Sequence, residues 1–389
     1  MEFNYYMPTR VVFGAGTFHQ LHELEMPGKK ALIVISSGKS MDRLGYVAQL
    51  ESQLDQMGIG YELYRGIRPN PTKDSVMEGA SLIKNSACDF IIALGGGSTI
   101  DAAKAISVMA TNPGDYWDYV RAGSGKGQPI VVKPLPVVAI STTSGTGSET
   151  DPWAVISNEE RGEKVGYGGD LMYPVLSVFD PELTCSIPAE ITAYQGFDAL
   201  FHCAEGCLNR VTYGIADLFA MEALRLIGRY LPAAVADGND LEARTGMARA
   251  NMYAGYVQCL ANSTAAHAIE HTLSAKNHRL AHGAGLIMIA RAYYTLVAEK
   301  GGRDDTMVAM AKALGDKNAS VPMDFVRCLC RLMDACGVSD LKMSDYGITM
   351  EDLPVLQAQA RREMPQMFAA EPTDLPDSDY VRVMQESWK

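Results

Sequence analysis

The apolar positions of this chain follow two different rhythms. Up to about residue 180, short unbroken apolar runs alternate with longer amphipathic segments. The run at 30–36 (KALIVIS) is rich in β-branched residues and lacks polar alternation, as a strand buried on both faces requires. Similar runs at 11–13, 60–64, 89–94, 136–140 and 175–179 predict further strands. Helical patterning fills 46–57 and resumes after the Pro69-Asn70-Pro71 turn as far as about residue 85. Strands alternating with helices predict an α/β domain with a mostly parallel sheet. From Pro188 onward the helical period dominates, over 189–208, 214–230, 241–260, 262–274, 283–299, 304–314 and 322–335. Leu231-Pro232 and Gly301-Gly302 are expected breaks, and 372–376 reads as a loop before a short C-terminal helix. The reading is an α/β domain over 1–185 followed by an all-helical domain over 186–389, with no internal repeat or low-complexity tract.

Composition narrows the function classes. A chain of 389 residues, 47% hydrophobic and 21% charged, has the length for two cores. Its net charge of −12 argues against a nucleic-acid or anionic-membrane partner. The eight cysteines show no paired CxxC spacing for structural zinc, so buried or free thiols in a reducing compartment are expected. The opening MEFNYYMPTR has no apolar core of a signal peptide, and the apolar stretch 285–297 is too short to span a bilayer and carries Arg291. A soluble cytoplasmic protein is the expectation.

Two kinds of chemistry stand out. Histidines crowd into NSTAAHAIEHTLSAKNHRLAHGAG, which holds His267, His271, His278 and His282, and His202 follows Asp198 by four residues in GFDALFHCAEG. Residues i and i+4 share a helix face, so Asp198 pairs with His202 and His267 with His271. One carboxylate with several imidazoles is a ligand set for Fe(II) or Zn(II). On this pattern His267 and His271 either both bind, or one serves behind the metal or in proton transfer. His278, among Lys276, Asn277 and Arg279, reads as exposed. The second feature is a pair of Gly/Ser turns, GGGSTIDAAKAI at 95–106 and STTSGTGSET at 141–150, each directly after a buried strand. Backbone amides without side-chain bulk, at a helix N-terminus, suit a pyrophosphate. Ile100 stands where the usual dinucleotide fingerprint has its third glycine. A cofactor on the first domain and a metal on the second would place chemistry where the two domains meet.

Together, PTRVVFGAG, GGGSTIDAAKAI, STTSGTGSE, DPELTCSIP, GFDALFHCAEG and HAIEHTLSAKNHRLAHGAG resemble the iron-containing (group III) alcohol dehydrogenases over nearly the whole chain. That family shares its fold with glycerol dehydrogenase and dehydroquinate synthase. The resemblance implies a dinucleotide-binding α/β domain, an all-α metal domain, and hydride exchange between a nicotinamide and a primary alcohol or aldehyde. It places the metal ligands on Asp198, His202, His267 and His282, with iron expected and zinc the alternative. His271 matches the extra histidine beside the nicotinamide and is the candidate catalytic residue. Gly95, Gly96, Gly97 and Ser98 would meet the pyrophosphate, with Asp101 nearby. Thr142, Thr143 and Ser144 would lie along the nucleotide, Lys164 would bond the ribose, and Leu183 and Thr184 would line the same site. Where NAD-preferring members carry an aspartate after the second strand stands Ser36, so NADP(H) is favoured over NAD(H). Two departures are visible: Ala281-His282-Gly283 replaces the usual Pro-His-Gly, and the segment from His271 to His282 is one residue longer than in many members. Glycerol dehydrogenase-like and maleylacetate reductase-like activities are the near alternatives, and a dehydroquinate synthase-type lyase a remote one. A homo-oligomer, dimer or larger, is what the resemblance implies.

Overall fold

The computed structural model describes residues 3–388. They form two compact units: an α/β unit of Tyr6–Thr143 and Ser148–Thr184, and a helical unit comprising the chain from Cys185 onward. The helical unit also takes in Ser144–Gly147 and the chain start up to Tyr5.

In the α/β unit the strands are β1 (Arg10–Phe13), β2 (Lys30–Ser36), β3 (Gly60–Ile67), β4 (Phe90–Gly95), β5 (Val137–Ser141), β6 (Ala154–Asn158), β7 (Glu163–Tyr167) and β8 (Leu176–Phe179). Its helices are α1 (Ser40–Arg43), α2 (Tyr46–Gln56), α3 (Lys73–Ser86) and α4 (Gly97–Thr111). Six strands pair in the order β1-β8-β5-β4-β2-β3, all parallel. The β-branched runs sit at the centre: Ile33, Ile35, Ile92, Leu94, Val138 and Ile140 are buried in one core with Val47, Leu50 and Leu54 of α2. β2 continues outward to β3, whereas β4 continues to β5 on the opposite side. The ends of β2 and β4 therefore flank the point where strand order reverses, which is where α/β sheets bind ligands. The β6–β7 hairpin is antiparallel and lies outside this sheet. The alternating strand–helix spacing gave no sign of it.

The helical unit contains α5 (Ala189–Leu208), α6 (Gly214–Ala236), α7 (Leu241–Leu260), α8 (Ala265–Lys276), α9 (His282–Lys300), α10 (Asp304–Ala313), α11 (Met323–Ala335), α12 (Asp352–Glu363), α13 (Pro365–Ala369) and α14 (Asp377–Ser387). The break expected at Leu231-Pro232 does not occur, and α6 runs through Pro232. Proline there lacks one amide hydrogen bond and crowds the carbonyl four residues back, at Gly228, a cost of about 3 kcal/mol. Burial of Ile227, Leu231 and Ala234 on one face outweighs it. α12 and α13 were also absent from the periodicity reading. All eight cysteines are free thiols. Among the described residues no helix is long and apolar enough to cross a membrane.

Candidate metal centre and cofactor turns

α5 is apolar on nearly every side and is buried from Thr192 to Leu208, apart from Gln195. A charged residue survives in such a helix only with partners, and Asp198 is 3% exposed. Its Oδ1 lies 3.6 Å from Nε2 of His202, 3.6 Å from Nε2 of His267 and 3.4 Å from Nε2 of His282. None of these contacts is a hydrogen bond, and Asp198 Oδ1 and His267 Nε2 are buried without any other partner. The His202 and His267 rings stack 4.6 Å apart, and His267 and His282 lie 5.2 Å apart.

Two buried glutamates decide how these imidazoles face. Glu205 Oε1 lies 2.5 Å from Nδ1 of His267, and Glu270 bonds Nδ1 of His282. With Nδ1 engaged by a carboxylate, Nε2 is the nitrogen left to face Asp198 and its neighbours, and the one a metal would take in place of a proton. Burial penalises charge on His267, but Glu205 and Asp198 outweigh it and carry that imidazole up to about 10. Burial, joined by the neighbouring His267 and His282 against the pull of Asp198, drives His202 down to about 3. Burial likewise opposes charge on Asp198, yet His202 and His282 hold its carboxyl well below the usual range. One carboxylate and three imidazoles converge without bonding one another, and two have a carboxylate behind them. This set fits a divalent cation.

A glycine sets the distance between the helices that meet here. A methyl group on Gly283 would lie 2.0 Å from the Tyr194 carbonyl oxygen, so only glycine lets α9 approach α5 this closely. His282, the first residue of α9, is thereby brought to Asp198 on α5. Ala281, where the family has proline, holds φ −66, an angle proline also adopts, so that departure leaves the local path intact. His271, 3% exposed and one turn after His267, has its ring 5.5 Å from that of His282. His278 lies exposed in the turn between α8 and α9.

In the α/β unit, Ser36 ends β2, Gly95 ends β4, and Ser141 ends β5 in register with Gly95. Gly96 caps α4 without a side-chain bond, which leaves the first amides of that helix with no partner of their own in the helix. A methyl on Gly96 would lie 2.7 Å from the Thr143 side chain, so the two Gly/Ser turns touch through this residue. Thr142 N bonds Gly95 O at 3.0 Å. Ser144 N bonds Gln195 Oε1 at 3.1 Å inside the helical unit. Leu183 and Thr184 follow β8, whose end pairs with that of β5, and both are buried. Lys164 is buried on β7 opposite Ser157, away from the six-stranded sheet.

Asp101 faces inward: its carboxylate accepts from Ser148 Oγ at 2.5 Å and Val155 N at 2.9 Å. These bonds tie the start of α4 to the second Gly/Ser turn and to β6. The fully buried Lys104 extends the bracing, with Nζ donating to Ser148 Oγ at 2.8 Å, Asp151 Oδ1 at 3.0 Å and Trp153 O at 2.7 Å. Sequence reasoning missed Glu205, Glu270 and Lys104. Helical spacing could have found the first two: Glu205 lies three residues after His202, and Glu270 three after His267.

The chain is similar to known proteins along nearly its whole length. The family model for iron-containing alcohol dehydrogenase matches residues 8–181, and that for the family's C-terminal region matches residues 192–388. A 1,3-propanediol dehydrogenase of Klebsiella pneumoniae is 32% identical over 93% of both chains. An NAD-dependent methanol dehydrogenase of Bacillus methanolicus is 35% identical over 72% of both. A choline dehydrogenase of Bacillus subtilis is 40% identical over 69% of this chain and 66%, just under two thirds, of its own length. Among solved structures, an archaeal halo-thermophilic Red Sea brine pool alcohol dehydrogenase superposes with a TM-score of 0.94 at 32% identity, covering 100% of this chain and 99% of that one. The chain belongs to the iron-containing alcohol dehydrogenase family.

Proposed function

We propose that the protein interconverts a primary alcohol and its aldehyde, with Asp198, His202, His267 and His282 holding the metal. The observation that carries this reading is the meeting of three Nε2 atoms on one buried carboxylate, two of them backed by glutamates. Membership of the family supports a metal and a nicotinamide cofactor. When bound, these groups supply Lewis acidity at the substrate oxygen and a hydride acceptor for the carbinol carbon. The chain supplies the rest. Gly95, Gly96, Gly97 and Ser98 offer backbone donors at the start of α4 for a pyrophosphate. Thr142, Thr143, Ser144, Leu183 and Thr184 flank the nucleotide, and Lys164 bonds its ribose. Loss of hydride from carbon leaves the hydroxyl proton to be removed. His271, buried beside His282, is the side chain we assign to that proton. The propanediol, methanol and choline dehydrogenases are each named for a primary alcohol, which favours that substrate class here. Iron is the expected ion, and zinc also suits the donor set.

For the nicotinamide we favour NADP(H). Ser36, half-buried at the end of β2, and the exposed Lys39 offer a hydroxyl and an ammonium and no carboxylate to repel a 2′-phosphate. The methanol dehydrogenase, by its name, is NAD-dependent, so the cofactor decides between this chain and that relative. The test is metal analysis of protein purified without oxygen, paired with NADPH and NADH oxidation against short aldehydes. Stoichiometric iron or zinc with turnover supports the reading, and faster turnover with NADPH supports the cofactor choice. Metal with no turnover on any aldehyde would overturn the substrate class. A clear NADH preference would reverse the cofactor.

A further inference from the structure

α8 begins with an arrangement that metal ligation alone does not explain. Thr264, at its N-cap, makes no capping bond of its own. Two glutamates from distant segments cap the helix instead. Glu205 Oε2, from α5, accepts from Thr264 N at 2.6 Å, and Glu371 Oε1, from the turn after α13, accepts from Ala265 N at 3.0 Å. Both carboxyls are 0% exposed. Negative or polar acceptors at a helix N-terminus meet its unbonded amides and favourable dipole end.

The same groups form one unbroken run of polar contacts. Thr264 Oγ1 lies 3.1 Å from Glu205 Oε2 and 2.7 Å from the Tyr293 hydroxyl, which lies 2.7 Å from Glu371 Oε1. At the other end, Glu205 Oε1 meets His267 Nδ1 at 2.5 Å. Three oxygen–oxygen contacts share two hydroxyl hydrogens, from Thr264 and Tyr293. Thr264 donates to Glu205 and Tyr293 donates to Glu371, whose carboxyl burial pushes up to about 7. The far end is itself pinned: Arg210 Nε bonds Glu371 O at 3.0 Å, Arg210 N bonds Ala370 O at 2.7 Å, and Arg210 Nη2 bonds Asp374 Oδ1 at 2.7 Å. Every member of the run from Glu205 to Glu371 is at most 1% exposed, so no bulk water competes for its bonds.

We propose that Glu371 is a positioning residue for the metal centre, acting through Tyr293, Thr264 and Glu205 to fix the orientation of His267. The inference rests on the metal reading of Asp198 and the three histidines. Glu371 touches no ligand. It holds the helix start and the glutamate that orient one. The C-terminal turn is thus part of what keeps the site in shape.

The test is the affinity of metal-stripped protein for Fe(II) and Zn(II), measured by chelator competition. It uses the full chain as wild type, Glu371→Ala, Glu371→Gln, Tyr293→Phe, Glu205→Gln and the Glu371→Ala/Glu205→Gln double variant. Glu371→Ala and Tyr293→Phe should bind roughly 10-fold more weakly, the lower end of losses seen when a group behind a ligand is removed. Glu371→Gln, which keeps the carbonyl acceptor and the shape of the neutral acid, should stay near wild type. Combining Glu371→Ala with Glu205→Gln should weaken binding by less than the product of the single losses, because both act on one run. A role limited to general stability would not give that non-additivity. Should Glu371→Ala fail to fold, Tyr293→Phe and Glu371→Gln carry the comparison. Wild-type affinity in Tyr293→Phe, or full additivity in the double variant, overturns the proposal. Wild-type protein that takes up neither ion would sink the metal reading first, and this inference with it.

Discussion

At the carboxyl ends of β2, β4 and β5 the useful groups belong to the backbone and to small hydroxyls, and glycine is chosen because it has nothing to add. Around Asp198 every donor is a side chain, and two of the three imidazoles are held by another side chain one layer out. The first region gets its precision from strand register and the start of a helix. The second gets it from buried carboxylates that fix which imidazole nitrogen faces Asp198. A backbone site tolerates change wherever the turn survives, whereas a side-chain site depends on atoms several bonds from the chemistry.

The largest effect that would sharpen this contrast comes from Asp198→Asn. It removes the charge that three imidazoles face and should cost on the order of 1,000-fold or more in kcat/KM along with bound metal. Retention of both metal and turnover would break the assignment of the centre. The counterpart in the α/β unit is Lys104→Met. It strands Asp151 beside Asp101 with no cation and should cost about 3–5 kcal/mol of stability in denaturant unfolding. The fraction that stays folded should still bind one equivalent of metal. Metal lost in step with that change would show that the two regions are not independently built.

Gly283→Ala comes next. Its methyl would drive α9 from the Tyr194 carbonyl, with an expected loss of about 1–3 kcal/mol and weaker metal binding in the same protein. Unchanged affinity would mean that the α5–α9 approach does not set the position of His282. The last effect, confined to a window of pH, is a pH dependence. Burial holds Glu371 near 7 against an ordinary 4.5, so between those values the folded form keeps a proton that the unfolded form has released. Stability contributed by this group is present below about 4.5 and falls as pH rises toward 7. In denaturant titrations Glu371→Gln should therefore gain on wild type across that window, by up to about 3 kcal/mol. Parallel pH curves for the two proteins would show that Glu371 is not protonated in the folded state.

Much of the architecture could be read from the residues in order. KALIVIS and DFIIAL stand at the sheet centre because a run without polar alternation has to be buried on both faces. The ends of α5 and α7 fall where the helical period starts and stops. Asp198 with His202, and the crowding of His267 and His282, pointed to a metal because local spacing alone puts such groups on common faces. The β6–β7 hairpin, the passage of α6 through Pro232 and the existence of α12 were not legible. In each case tertiary burial outweighs a weak or contrary local preference.

The sequence by itself determined the alternation of strands and helices, the glycines at the strand ends and the residue types able to hold a metal, since these depend on neighbours within one turn or one strand. Only the tertiary structure decided that Asp101 ties α4 to Ser148 and β6 and that α9 touches α5 through Gly283. It alone joined Glu205, Tyr293 and Glu371, far apart in the chain, into support for one histidine. A buried polar group needs a partner, and which partner it finds is settled by where helices pack, a relation between distant segments that no local pattern encodes.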